Sequence, residues 1–100
     1  MQYIGEISGN GILKCGGVDI ATASYEFESY LLKSGGSTGS GEITLAPEAL
    51  KSCFRKPGVQ LLADDGRMFN LTFSEKRLRE QNSAQVVVTG DLPTERHPRS

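Results

Sequence analysis

The sequence has no tryptophan, a single histidine and only two cysteines. No apolar run approaches the roughly 18 residues that a membrane-spanning helix needs, and no charged-then-apolar signal segment opens the chain. Two cysteines are too few for a small fold that depends on disulfide bridges. We therefore expect a soluble cytoplasmic domain without membrane contact, in which Cys15 and Cys53 are free thiols rather than a bridge.

Charge of neither sign dominates the chain. Eleven lysines and arginines face twelve aspartates and glutamates, which gives a formal net charge of −1. This balance provides no global polybasic character for binding nucleic acid or a membrane surface. The two halves differ, however, because residues 1–50 carry a net charge of −4 and residues 51–100 a net charge of +3.

The side chains of common catalytic and metal sites are scarce. The one histidine, His97, lies near the C-terminus, where a general base would not be held against a nucleophile. Neither a Cys-x-x-Cys nor a His-x-x-x-His spacing occurs, so we expect no metal site, no cofactor and no catalytic residue. A small enzyme that works through carboxylates or a thiol is kept as an alternative.

The length of 100 residues fits one domain. Leucine, isoleucine, valine and phenylalanine together number 24, which is above the roughly 20% below which disorder is expected. We predict one β-rich globular domain over residues 1–91. Residues 92–100 contain two prolines and few apolar side chains, and they are predicted to form a disordered tail.

The first half of the chain shows short alternating segments separated by glycine, which is typical of strands and turns. Residues 3–8 and 12–15 are predicted to form a hairpin around a turn at residues 9–11. A three-residue turn is preferred to a two-residue Asn-Gly turn because it sets Ile7 opposite Leu13.

A longer strand is predicted at residues 18–32. Its apolar positions change from even to odd numbers, which indicates a bulge or bend near residues 20–22. Residues 33–40 are rich in glycine and serine and are predicted to be a flexible loop. Alternation resumes at residues 42–45, which are predicted to form a short strand.

One short helix is predicted after this strand. Pro47 suits a first helical position, Leu50, Cys53 and Phe54 share one face, and the Pro57-Gly58 pair ends the helix. At about two turns it is too short to be stable alone, so we expect it to cover the sheet.

The second half contains a hairpin of residues 59–63 and 67–74 around an Asp64-Asp65-Gly66 turn. A three-residue turn with Gly66 in the left-handed region matches the apolar pattern. It pairs Leu61 with Phe69, Val59 with Leu71 and Gln60 with Asn70.

A polar segment at residues 74–83 is predicted to be either a loop or a helical turn. The valines of residues 84–89 favour a strand that is buried on both faces or covered at its edge. The fold class is therefore mainly β, either a small, partly open barrel or a strongly curved antiparallel sheet. We expect six or seven strands and one short helix.

Cations of the second half form the candidate nucleic-acid site: Lys51, Arg55, Lys56, Arg67, Lys76, Arg77 and Arg79. Arg67 is included because it precedes a strand of alternating aromatic residues, as on some RNA-binding strands. The hairpin register nevertheless turns Phe69 and Phe73 inward, where they would be core residues rather than platforms for bases.

Function is not determined by these patterns. The favoured interpretation is a small, non-catalytic interaction module that binds a protein partner or a second copy of itself through an exposed edge or face. The alternative is a single-stranded nucleic-acid-binding barrel that uses the seven cations above.

Overall fold

The structure is a computed structural model and describes residues 2–92. The elements in chain order are β1 (Gln2–Cys15), β2 (Val18–Leu31), β3 (Ser37–Thr44), α1 (Pro47–Cys53), β4 (Val59–Ala63), β5 (Met68–Phe73) and β6 (Ser83–Gly90). All neighbouring strands are antiparallel, and they close into a six-stranded barrel in the order β1-β2-β3-β6-β5-β4. This confirms a small, mainly β domain with one short helix. Within the described residues, no helix has the length and apolar character to cross a membrane.

The predicted first hairpin is wrong, because residues 9–11 do not turn. They lie inside the single strand β1, which pairs along its whole length with β2. Gly11 instead allows β1 to lie close to β4, since a Cβ on Gly11 would lie 2.3 Å from the carbonyl oxygen of Leu62. Ile7 and Leu13 are consequently not partners of each other, and both are paired with residues of β2.

The long second strand is confirmed, together with its irregularity. The β1–β2 register shifts between Leu13 and Lys14, whose partners are Ala21 and Asp19. Ile20 is therefore the extra residue of a β-bulge, at the position where the apolar pattern changes phase.

The predicted loop at residues 33–40 is correct only in its first part, because β3 begins at Ser37. Gly41 lies inside this strand, opposite Phe27, and a Cβ there would lie 2.0 Å from the carbonyl oxygen of Glu26. Glycine at this position lets β3 approach the backbone of β2 closely.

The β4–β5 hairpin has the predicted register. Gly66 has a φ of +95°, and the amide of Ala63 donates to the carbonyl oxygen of Arg67 over 2.8 Å. The paired residues are Leu61 with Phe69, Val59 with Leu71 and Gln60 with Asn70.

Both edges of β6 are covered, by β3 and by β5. Only one face is buried, however: Val86 and Val88 point into the core while Val87 is 42% exposed. Of the two predictions for this strand, burial on both faces is wrong and the covered edge is correct. Residues 74–82 contain neither helix nor strand. Of the two predictions for this segment, the loop is therefore correct and the helical turn is wrong.

Aromatic side chains fill the centre of the barrel. The ring centroids of Tyr25, Phe27 and Phe69 lie 4.9–5.6 Å from one another. The helix prediction is confirmed, and α1 inserts the fully buried side chains of Leu50 and Cys53.

The barrel has two different ends. At the helical end lie the β1–β2 turn, α1 and the loop of residues 74–82. At the hairpin end lie the β2–β3 and β4–β5 turns, and there Leu92 is buried. The predicted tail begins at Leu92, and the rest of that tail lies outside the described residues.

Candidate functional site

Six of the seven predicted cations lie at the helical end. We call them the basic cluster: Lys51, Arg55, Lys56, Lys76, Arg77 and Arg79. All six are exposed. Their segments are in contact, because the guanidinium of Arg55 donates to the carbonyl oxygen of Lys76 over 3.4 Å, while Lys51 and Arg79 line one shallow groove. Acidic side chains partly offset the charge of the cluster. Glu75 lies 3.7 Å from the guanidinium of Arg79, and Glu48 and Glu80 line the same groove as Lys51 and Arg79.

Two phenylalanines lie beside the basic cluster. Phe54 and Phe73 pack edge to face with their ring centroids 5.1 Å apart, and both are half-buried. A groove of about 420 Å³ runs past Phe73, with Arg55 and Lys56 among its walls. Phe73 was predicted to be a core residue, and it does pack against the core while leaving part of its ring accessible.

The backbone of Arg55 is strained. Its φ is +62°, in the left-handed region that favours glycine. The following amide, of Lys56, donates to the carbonyl oxygen of Cys53 over 3.1 Å and ends the helix. A non-glycine residue in this conformation costs about 1 kcal/mol, so the arginine is held here at the expense of stability.

Arg67 is not part of the basic cluster, because it lies at the opposite end of β5. The strand between them has six residues, about 20 Å of chain. The guanidinium of Arg67 lies 2.7 Å from a carboxylate oxygen of Asp65 and stacks on Phe69, with 5.6 Å to the ring centroid. Its role in the structure is to close the β4–β5 turn.

The carboxylate of Asp65 also has a structural role, because it accepts hydrogen bonds within the β4–β5 turn. The backbone amide of Arg67 donates to it over 3.1 Å, and this hydrogen bond, followed by the one from the guanidinium, lowers the pKa of Asp65 below its ordinary value. This confirms that the Asp-Asp-Gly sequence forms a turn. Within residues 2–92, no three histidine, cysteine, aspartate or glutamate side chains are grouped so that they could hold a metal ion.

The two cysteines are free thiols, as predicted. Cys53 is fully buried, and its thiol donates to the carbonyl oxygen of Leu50. Burial, and then the nearby Cys15, raise the pKa of Cys53 above its ordinary value. Because the thiolate is the nucleophile, this environment makes Cys53 unreactive at neutral pH.

Four glutamates share the outer surface of β1, β2 and β3, and we call them the acidic face: Glu6, Glu26, Glu28 and Glu42. Glu6 is directly opposite Glu28, and Glu26 is directly opposite Glu42. The carboxylate of Glu42 accepts a hydrogen bond from the side-chain amide of Gln85 over 3.3 Å. Glu26 and Glu28 are both exposed.

One feature was missed from the sequence. Strand β1 pairs with β4 only from Gly11 to Cys15, so within the described chain residues 4–9 have a neighbouring strand, β2, on one side only. Residues 5–9 are paired with β2, and Ile4 lies at a register shift without a partner of its own. We call residues 4–9 the open edge. The sequence does not indicate it because Gly9 and Gly11 have the pattern of a turn, and a turn there predicts a shorter first strand without this unpaired part.

Comparisons of the chain with protein-family models, with curated proteins and with solved structures give no match.

Proposed function

We propose that this barrel is a protein-binding domain that pairs its open edge with an extended segment of a partner. One observation carries the proposal: in residues 4–9, β1 has a strand on one side and, within the described residues, none on the other. An unpaired strand edge is a template for strand addition, in which main-chain hydrogen bonds supply affinity.

The direction of the backbone groups supports this mode of binding. In a strand, the N–H and C=O groups of one residue point to the same side, and successive residues alternate. The carbonyl oxygen of Asn10 accepts from the amide of Asp64 over 2.9 Å and therefore points toward β4. By the same alternation, the amides and carbonyls of Glu6 and Ser8 point out of the open edge.

No described strand pairs with these groups. Strand β4 ends at Ala63, opposite Gly11, and the chain then turns back through residues 64–67. A strand paired with residues 4–9 would continue the line of β4 beyond that turn. It would extend the sheet β1-β2-β3 without displacing any described strand.

Amide hydrogen exchange tests the proposal. Short peptides that alternate threonine with lysine, glutamate or valine are titrated into isotope-labelled protein. A bound peptide is expected to slow exchange at Glu6 and Ser8, with a smaller effect at Ile7, whose amide already faces β2. The proposal fails if none of the peptides binds, or if those that bind protect only amides outside the open edge.

A proline variant supplies the matched test. Ser8→Pro removes one outward N–H, and proline is tolerated where the N–H of an edge strand faces solvent. We expect it to abolish peptide binding while the unfolding transition is retained, whereas Ser8→Thr binds as the parent does. Unchanged binding by a folded Ser8→Pro variant contradicts strand addition.

A second candidate function is favoured by the two phenylalanines at the basic cluster. Proteins that bind single-stranded nucleic acid combine a cationic groove with aromatic side chains on which bases stack. Phe73 lines a groove together with Arg55 and Lys56, which is this combination on a small scale.

Fluorescence anisotropy of labelled single-stranded RNA and DNA tests this second candidate, at about 50 and 200 mM salt. Binding should weaken steeply with salt, and Arg77→Ala with Arg79→Ala should flatten that dependence. Arg67→Ala is the control, because Arg67 lies outside the basic cluster. The absence of binding at low salt removes this candidate.

A further inference from the structure

The open edge borders the acidic face. Glu6 belongs to both, since it lies on β1 and its side chain is on the outer surface of the sheet. Glu28 is its direct partner on β2, and Glu26 follows two residues earlier on the same face, opposite Ser8. A strand added to the open edge would therefore lie next to Glu6 and one strand away from Glu26 and Glu28.

The charges of this face are not neutralised inside the described part of the molecule. The salt bridges of residues 2–92 join Lys14 to Asp19, Arg67 to Asp65 and Arg79 to Glu75, and none includes a glutamate of the acidic face. Like charges directly opposite each other on neighbouring strands are destabilising. Two such pairs, Glu6 with Glu28 and Glu26 with Glu42, lie side by side.

We infer that the partner segment is cationic, an extended stretch of polypeptide with lysine or arginine at alternate positions. This inference rests on the proposed function. Alternate side chains of an added strand point to the outer surface, and there they come within about 5 Å of the side chains of β1. Basic residues at those positions would pair with Glu6 and would lessen the repulsion across the acidic face.

A second copy of this chain fits the open edge less well. Pairing two open edges about a twofold axis would place two acidic faces side by side on one sheet, with Glu6 of each copy at the junction. The repulsion that exists within one barrel would then be repeated between barrels. The charge arrangement therefore selects a different, basic polypeptide.

A peptide competition tests the charge of the partner. The probe is a fluorescent peptide of alternating lysine and threonine, and the comparisons are the glutamate–threonine and valine–threonine peptides of the same length. We expect the lysine peptide to bind at least fivefold more tightly than the neutral one, and the glutamate peptide not to bind. Added salt should reduce the preference, because it screens exposed charges.

Two charge-reversal variants test whether the preference for the lysine peptide arises at the open edge. Glu6→Lys is expected to weaken binding of the lysine peptide by about fivefold, the scale of one exposed ion pair. Glu48→Lys makes the same change of net charge on α1 at the helical end, and it should leave binding unchanged. Equal effects of the two variants would show that only net charge matters and would overturn the inference.

The outcomes separate this inference from the proposed function. If the three peptides bind equally well and Ser8→Pro abolishes all binding, strand addition holds and the cationic preference fails. If the lysine peptide binds but Ser8→Pro and a backbone-methylated lysine peptide change nothing, the attraction is only electrostatic and both fail. Slow exchange of the Glu6 and Ser8 amides in the free chain also overturns both, because the edge is then already occupied. Dependence of that protection on protein concentration would identify a second copy.

Discussion

Gly41 lies where β3 approaches the backbone of β2 too closely for a side chain. A methyl group there would lie 2.0 Å from the carbonyl oxygen of Glu26, so the two strands would have to separate. We expect Gly41→Ala to lower the free energy of unfolding by about 2–3 kcal/mol, as overpacked sites do. Urea denaturation measures this loss.

The matched control is Gly5→Ala, on the open edge. No heavy atom lies within 4 Å of a Cβ added at Gly5, and its φ is not positive. Replacing a strand glycine by alanine in free space is expected to stabilise by about 0.5 kcal/mol. Equal losses from the two variants would contradict the close approach at Gly41.

The two thiols should differ in reactivity. Burial raises the pKa of Cys53, so this residue stays in the protonated, unreactive thiol form, while Cys15 is only half-buried. With a disulfide reagent near pH 8, we expect the native protein to react rapidly at one thiol, and the denatured protein at both. Cys15→Ser should abolish the rapid phase and Cys53→Ser should preserve it. A rapid phase that survives Cys15→Ser would show that the helical end opens.

At the scale of elements, a substitution at the end of α1 is expected to affect stability and nucleic-acid binding in opposite directions. Arg55 is held at a φ of +62°, which glycine adopts without strain. We expect Arg55→Gly to raise the free energy of unfolding by up to about 1 kcal/mol. If the basic cluster binds nucleic acid, the same variant should weaken that binding, so the two measurements change in opposite directions.

Arg77→Gly is the control for this prediction. This substitution removes the same charge from the same cluster. The φ of Arg77 is not positive, however, so the substitution relieves no backbone strain. Its denaturation midpoint should not rise. A rise of equal size in both variants would mean that charge repulsion in the basic cluster, rather than backbone strain, is what destabilises α1.

The elements differ in how well the sequence predicts them, for a physical reason. The β4–β5 hairpin was predicted residue by residue because its turn and its paired apolar residues lie within 15 residues of one another. Gly9, Gly11, Gly39 and Gly41 carry the same local signal as a turn, yet they lie inside strands and allow a neighbouring strand to approach closely. No local pattern distinguishes the two uses of glycine.

The candidate site also has one part that local sequence patterns indicate and one part that depends on the assembled barrel. Six of the seven cations chosen from the sequence lie together because they flank two segments that the barrel brings to one end, whereas Arg67 lies at the other end. Their role in binding stays a prediction. The open edge was not predicted, since it depends on where β4 stops along β1. That position is set by the closure of the whole barrel and not by residues 4–9.

At the scale of the whole molecule, charges of the same sign are grouped although the net charge is close to zero. Glu26→Lys replaces a like-charge pair opposite Glu42 with an opposite-charge pair. We expect a gain of about 0.5 kcal/mol and a rise of a few degrees in Tm. Differential scanning calorimetry at low salt measures this rise, which should shrink as salt is added.

Glu48→Lys is again the control, because it changes the net charge equally. Glu48 lies in the first turn of α1, where a carboxylate is favourable beside the positive end of the helix dipole. Its replacement should lower Tm. The same sign of change in both variants would mean that net charge, and not the placement of the charges, governs stability.

The closed ring has a consequence for how the chain folds. The β1–β2, β2–β3, β4–β5 and β5–β6 pairs join strands that are neighbours in sequence, whereas the paired residues of β1–β4 and β3–β6 are 39–52 residues apart. Contacts of such long range make folding slow, typically milliseconds to seconds. Until the ring closes, the edges of β3 and β4 are as exposed as the open edge is in the finished barrel. A newly made chain is therefore at greatest risk of aggregation during that interval, and conditions that shorten it should raise the yield of refolding.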